Sequence, residues 1–301
     1  MKNIILAYNK INNLKIFSKR KYLVFMLLIL ILLTGCAHHG LFSPLESSYQ
    51  CEEIIDINYT APFGKEVHSY ATYEIINMSN YSKRRKLLIT YYSQYPDIEK
   101  SYAATYSSLS TIIKPWIIKQ TCRNNSALHA LHNGDYIKIN KRRKNINSIL
   151  QYTLRFDDLD WMSGILLHAL ADSYAHTKGE YGSKNEKAYN CITGHFYDNF
   201  VGKSPDNLKK NKYAKKKFNK YIDNLCDLFN IDKMSPNVIK LKNNMNYEFH
   251  YTPSKDRNTL DLIDKFTNCM NTLARPIERH EMNMIIKIIN KGGKNVLDMK
   301  K

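Results

Sequence analysis

Apolar residues recur at intervals of three and four along most of this chain, and strand-like alternation is rare, which predicts helices. The pattern marks residues 67–76, 87–92 and 260–273, the last through Leu260, Ile263, Phe266, Met270 and Leu273 on one face, ending before Pro276. A further helix restarts over 277–289. The clearest one opens at Asp157 and Asp158, residues suited to capping a helix N-terminus, and runs to Tyr174 or His176. Its apolar face is Leu159, Met162, Ile165, Leu166, Ala169 and Leu170. Residues 177–190, with two glycines and several charges, read as a loop, and a second loop at 202–206 precedes a lysine-rich helix. The expected fold is all-α, one multi-helix domain over residues 59–301.

Composition supports a folded body. With 44% hydrophobic and 24% charged residues among 301, disorder and a disulfide miniprotein are disfavoured. The net charge is +18, but the first 35 residues hold six of the cations and no acid, so the remainder carries +12. That surplus favours anionic partners without choosing among phospholipid, nucleic acid and phosphorylated substrates. The run Lys209, Lys210, Lys212, Lys215, Lys216 and Lys217, with Tyr213 and Phe218, reads first as a solvated helix face and alternatively as a surface for anionic lipid headgroups, and no nucleic-acid-binding module accompanies it.

The N-terminus has the order of a secretory signal: Lys19-Arg20-Lys21, an apolar run over 22–33, then small residues. The apolar run of 12 residues falls short of the ~20 that span a bilayer. Leu33-Thr34-Gly35-Cys36 resembles the bacterial lipobox. That resemblance implies a signal peptide over 1–35, lipid modification of Cys36, a tether over 36–58 and, with Ala37 following, outer-membrane retention. Export to an oxidising compartment would let Cys51, Cys122, Cys191, Cys226 and Cys269 form disulfides, with one left over and the connectivity open.

Chemistry concentrates on the clearest helix, where His168, Asp172 and His176 stand four apart on one ridge. From first to last the ridge is about 12 Å long at ~1.5 Å per residue. Metal–nitrogen bonds of only ~2.0–2.1 Å make one shared ion difficult. Either Asp172 bridges two ions or one of the three supports the others from outside. Ile165, Ala169 and Leu170 border the ridge, so part of it is expected to face inward, where a carboxylate needs compensation. Further donors must come from elsewhere, and His195, His68, Asp97, His129 and His132 are the candidates.

The segment Leu167-His168-Ala169-Leu170-Ala171-Asp172-Ser173-Tyr174-Ala175-His176-Thr177 resembles the signature helix of an uncharacterised all-helical bacterial family, itself distantly like zinc-dependent phospholipase C and single-strand-specific nucleases. The likeness extends in order from His68 with Tyr70, Thr72 and Tyr73, through Gln94 and Asp97 and His129-Ala130-Leu131, to Gly194-His195 and Pro205-Asp206. It implies a phospholipase C-like bundle binding one to three zinc ions through His68, Asp97, His168, Asp172, His176 and His195. It also makes Asp97 the carboxylate that orients a water or accepts its proton. The sequence departs from zinc phospholipases at two places. Acylation would remove the amine of Cys36 as a ligand, with His38 or His39 as replacements, and Asp198 stands at i+3 of His195 where a glutamate at i+4 is usual.

Two readings of different class follow. In one the chain is a membrane-anchored zinc phosphoesterase, its substrate a phospholipid or another anionic phosphoester. In the other it is a surface lipoprotein that catalyses nothing, with a structural metal or none. Other enzyme classes lack their motifs: there is no Gly-x-Ser-x-Gly, no Walker phosphate loop, no Gly-x-Gly-x-x-Gly and no His-Glu-x-x-His.

Overall fold

The computed structural model of the chain describes residues 67–194, 213–244, 270 and 274–291, all within the compact unit Tyr49–Lys301. The lipobox, the tether, His195, the 202–206 loop and most of the 260–273 helix lie outside the described residues. Among those described, the fold is helical apart from one short hairpin. The helices are α1 (Val67–Asn77), α2 (Lys83–Ile98), α3 (Ala104–Ile113), α4 (Ile118–Leu128), α5 (Tyr136–Thr153), α6 (Asp160–Ala175), α7 (Ala214–Phe229), α8 (Pro236–Asn244) and α9 (Arg279–Lys291). The 177–190 loop contains two antiparallel two-residue strands, β1 (Thr177–Lys178) and β2 (Lys187–Ala188), with Thr177 opposite Ala188. No described helix is long and apolar enough to cross a membrane.

Helix α6 is the axis of the bundle. Its residues from Asp160 to Tyr174 are all buried, so the apolar stripe seen in the sequence is only part of what it hides. Helix α2 lies along it most extensively, and α1, α4, α5 and α7 pack around it. The approach of α2 depends on Gly164, where a Cβ would fall 2.5 Å from Tyr92 Cβ and 2.7 Å from the Ile89 carbonyl oxygen. Gly164→Ala is therefore expected to force the two helices apart at a cost of about 1–3 kcal/mol, read as a lower urea midpoint.

Both ends of α6 are fixed by arginines. At the N-terminus Asp157 does not cap: residues Asp157–Leu159 form a 3₁₀ turn with no side-chain cap bond. Arg85, from α2, pairs with Asp157 at 2.9 Å and with Asp160 at 2.8 Å, and it donates to the Leu154 carbonyl at 3.0 Å. A long-range cation has displaced the local capping role. At the C-terminus, buried Arg143 of α5 donates to the Ser173 carbonyl from Nη2 (2.6 Å) and Nε (3.1 Å) and pairs with Glu186 at 2.7 Å.

The lysine-rich segment is not uniformly solvated. Lys215 and Lys216 are exposed at the start of α7, but Lys217 is 3% exposed and donates to the Thr177 carbonyl at 2.5 Å. Burial lowers its pKa to about 8. Between pH 8 and 10 the folded chain has released a proton that the unfolded chain, with lysine near 10.4, still holds. This site thus makes stability climb with pH in that window, on the order of 1 kcal/mol per pH unit at most. Lys217→Met is expected to flatten that part of a urea-midpoint profile.

Of the cysteines, Cys122 in α4 is bonded to Cys191 beyond the hairpin, while Cys226 in α7 is a buried free thiol. Burial pushes that thiol up to about 11, which suits a core residue and not a nucleophile. Cys36, Cys51 and Cys269 lie outside the described residues.

Candidate metal centre

The ridge on α6 is buried in the centre of the bundle, with His168 at 1%, Asp172 at 0% and His176 at 6% exposure. Three imidazoles surround one carboxylate oxygen. Asp172 Oδ2 lies 3.3 Å from His168 Nε2, 3.4 Å from His176 Nδ1 and 3.1 Å from Nδ1 of His129. Spacing of four on α6 accounts for the first two; His129 arrives from the end of α4.

That arrival has a local cause. Helix α4 ends at Leu128 with His129 as its C-cap, and the next residue, Ala130, takes the left-handed conformation with φ of 53°. For a non-glycine this costs roughly 1–3 kcal/mol, a strain more common at functional sites than elsewhere. Asn125 steadies the reversal: its carbonyl accepts from the backbone of both His129 and Leu131, and its side-chain amide donates to the Cys191 carbonyl.

Backbone carbonyls decide which ring nitrogens carry hydrogen. His168 donates from Nδ1 to the Ser93 carbonyl at 2.9 Å, and His129 donates from Nε2 to the Tyr102 carbonyl at 2.9 Å. In the neutral rings the remaining nitrogens, His168 Nε2 and His129 Nδ1, carry lone pairs. These two nitrogens are 3.2 Å apart. With Asp172 Oδ2 they make a triangle of acceptors with edges of 3.1, 3.2 and 3.3 Å. Three lone pairs converging in a buried space repel unless a cation sits among them. Ligands on a tetrahedral ion at ~2.0–2.1 Å would stand about 3.3 Å apart, so the donor set fits a small divalent metal.

His176 is different. Its Nδ1 donates to the His129 carbonyl at 2.9 Å, so the nitrogen that faces Asp172 carries hydrogen. It supports both Asp172 and the backbone of His129.

Asp97, near the end of α2, completes the group. Its carboxylate lies 3.6 Å from His129 Nδ1 and 3.7 Å from His168 Nδ1. Asp97, His129 and His168 also offer three donor atoms that could hold an ion, all within 4.8 Å of one another. At 28% side-chain exposure Asp97 is the member open to solvent, while the Asp172 and His129 side chains are at 1%. Burial alone would raise the Asp172 carboxyl; with positive charge beside it on His176 and His168 and a hydrogen bond from His129, its pKa is instead held well below the usual carboxylate range.

The sequence-predicted residues thus separate. Asp97, His168, Asp172 and His176 converge. His68 is on the first turn of α1 with its side chain outside the described part, and His195 and Cys36 lie outside the described residues. His132 stays out of the cluster: its Nδ1 accepts from the Gly134 N–H, and burial lowers its pKa to about 4, leaving the ring neutral. His129 is the cluster member that the predicted ligand set lacked. Comparison of the chain with known protein families, characterised proteins and solved structures finds no match at any of the three levels.

Proposed function

We propose that His129, His168 and Asp172 hold a zinc ion with Asp97 beside its open position, and that the chain is a phosphoester hydrolase of the phospholipase C-like kind, lipid-anchored at Cys36 on the outer membrane. The observation that carries the metal is the triangle of buried lone pairs from His129 Nδ1, His168 Nε2 and Asp172 Oδ2. Two imidazoles and one carboxylate, with the fourth position left to water, are a donor set zinc accepts readily. Phosphoesters rest on the ordered motif resemblance from His68 to Asp206, and the basic body suits an anionic substrate.

Zinc bound here would supply a water acidic enough to be hydroxide near neutral pH. The protein's own groups do the rest. Asp97, as the solvent-facing member, orients the water and accepts its proton. His176 fixes the carboxylate of Asp172, and the Ser93 and Tyr102 carbonyls fix the two rings. A structural ion without turnover is the second reading, favoured by the burial of His129, His168 and Asp172. The exposure of Asp97 favours the hydrolase.

The test is hydrolysis of bis-p-nitrophenyl phosphate and of phosphatidylcholine before and after chelation. Activity lost with chelator, restored by zinc and lowered by a factor of roughly 10²–10⁴ in Asp97→Asn supports the hydrolase. No turnover of either substrate by zinc-loaded protein would leave the structural ion.

A further inference from the structure

The corner between α3 and α4 carries apolar side chains that the fold leaves in water. Trp116 is 77% exposed, Ile113 69% and Ile118 37%, whereas Trp161, the other tryptophan, is 7% exposed in the core. All three residues of the 3₁₀ turn Pro115–Ile117 are outside the core, and Pro115 at its first position fixes the bend. Scattered exposed apolar residues are ordinary, but three within six positions at one corner mark a contact.

The charge around that corner indicates the partner. Lys114 and Lys119, both exposed, bracket Trp116. From Glu99 to Asp135 the chain has no acid between, only Lys100, Lys114, Lys119 and Arg123. Tryptophan flanked by lysines is the composition that settles at a bilayer interface, with the indole at headgroup level and the ammonium groups on phosphates. The base beneath is rigid: Cys122, four residues past Ile118, is tied to Cys191.

We propose that the α3–α4 corner is a membrane wedge, in which Ile113, Trp116 and Ile118 enter the headgroup boundary of an anionic phospholipid bilayer while Lys114 and Lys119 engage its phosphates. The wedge belongs to the segment that builds the metal centre. Asp97 and Tyr102 precede α3, and α4 leads back from Ile118 to His129, about 16 Å away at ~1.5 Å per residue. A corner sunk by ~5–10 Å would hold the centre at a set height over the headgroups. The wedge does not depend on the hydrolase reading.

Because the full chain has two tryptophans and Trp161 is buried, Trp116 emission reports the corner even when the N-terminus is what anchors the protein. The experiment uses full-length chain on phosphatidylcholine/phosphatidylglycerol vesicles with acyl-brominated lipid. The expected result is a blue shift and bromolipid quenching that disappear in Trp116→Phe and weaken several-fold in Lys114→Glu/Lys119→Glu or in high salt. His168→Ala should keep the quenching while losing metal, so failure of the wedge and failure of the metal centre are told apart. Vesicle-bound protein whose Trp116 escapes bromolipid quenching and stays as open to acrylamide as in solution would overturn the wedge. So would self-association lost in Trp116→Ser, which would give the corner to a second copy of the chain.

Discussion

Asp172→Asn is expected to strip the ion from an otherwise folded chain and abolish hydrolysis. The carboxylate oxygen of Asp172 is the point on which His129, His168 and His176 converge, and it is completely buried. An amide is nearly the same size, so the helix contacts survive. It carries no charge, however, so the ion would lose the anion that faces it beside the two imidazole nitrogens. Loss of a group that merely orients a ligand costs 10–100-fold in metal affinity, and loss of the central anion should exceed that. Metal content after dialysis, with circular dichroism as the check on folding, reads the effect. Retained metal in the variant would mean that Asp172 is a packed carboxylate beside the site.

The largest stability effect is expected from Glu186→Ala. Glu186 is 0% exposed and accepts from Arg143 Nη2 at 2.7 Å, from the Gly182 N–H at 2.8 Å and from Thr177 Oγ1 at 3.1 Å. Removing it leaves the Arg143 guanidinium buried without its carboxylate. Breaking one side of such a pair costs about 3–5 kcal/mol, because the remaining charge is no longer compensated. The surface pair Lys216–Glu180 has a similar 2.6 Å contact but side chains 52% and 48% exposed, so Glu180→Ala should cost less than about 1 kcal/mol. Urea unfolding of the two variants separates these cases by midpoint. There is a consequence for the metal centre too. Arg143 holds the Ser173 carbonyl, next in the chain to Asp172, so Glu186→Ala should also weaken metal retention.

The helical class and the helix carrying the ridge are legible in the sequence because they are periodic. What fails to show is whatever depends on distant partners. His129 lies 43 residues from Asp172 in the chain and has no helical register with it, so by spacing alone it is one lone histidine among several. The only sequence signal for it is its place in the ordered set of resembling segments. Asp157 has the chemistry of a cap, and only the fold brings Arg85 to claim it. Lys217 was within reach of pattern reading: Ala214, Lys217, Phe218, Tyr221, Ile222 and Leu225 form one buried face of α7, and the lysine falls on it. The surrounding lysine run hides that register.

On the proposed arrangement one ion sits between α4 and α6 beside Asp97 of α2, with His129 as a ligand and His176 as a support. Zinc content of purified full-length chain, measured beside His129→Ala and His176→Ala, tests it most directly. Bound zinc is expected in the wild type, none in His129→Ala, and in His176→Ala zinc that is still bound but held roughly 10–100-fold less tightly against a competing chelator. Folded wild-type protein without metal, never exposed to chelator, would contradict it and show that protons shared among His129, His168 and Asp172 hold the cluster together instead.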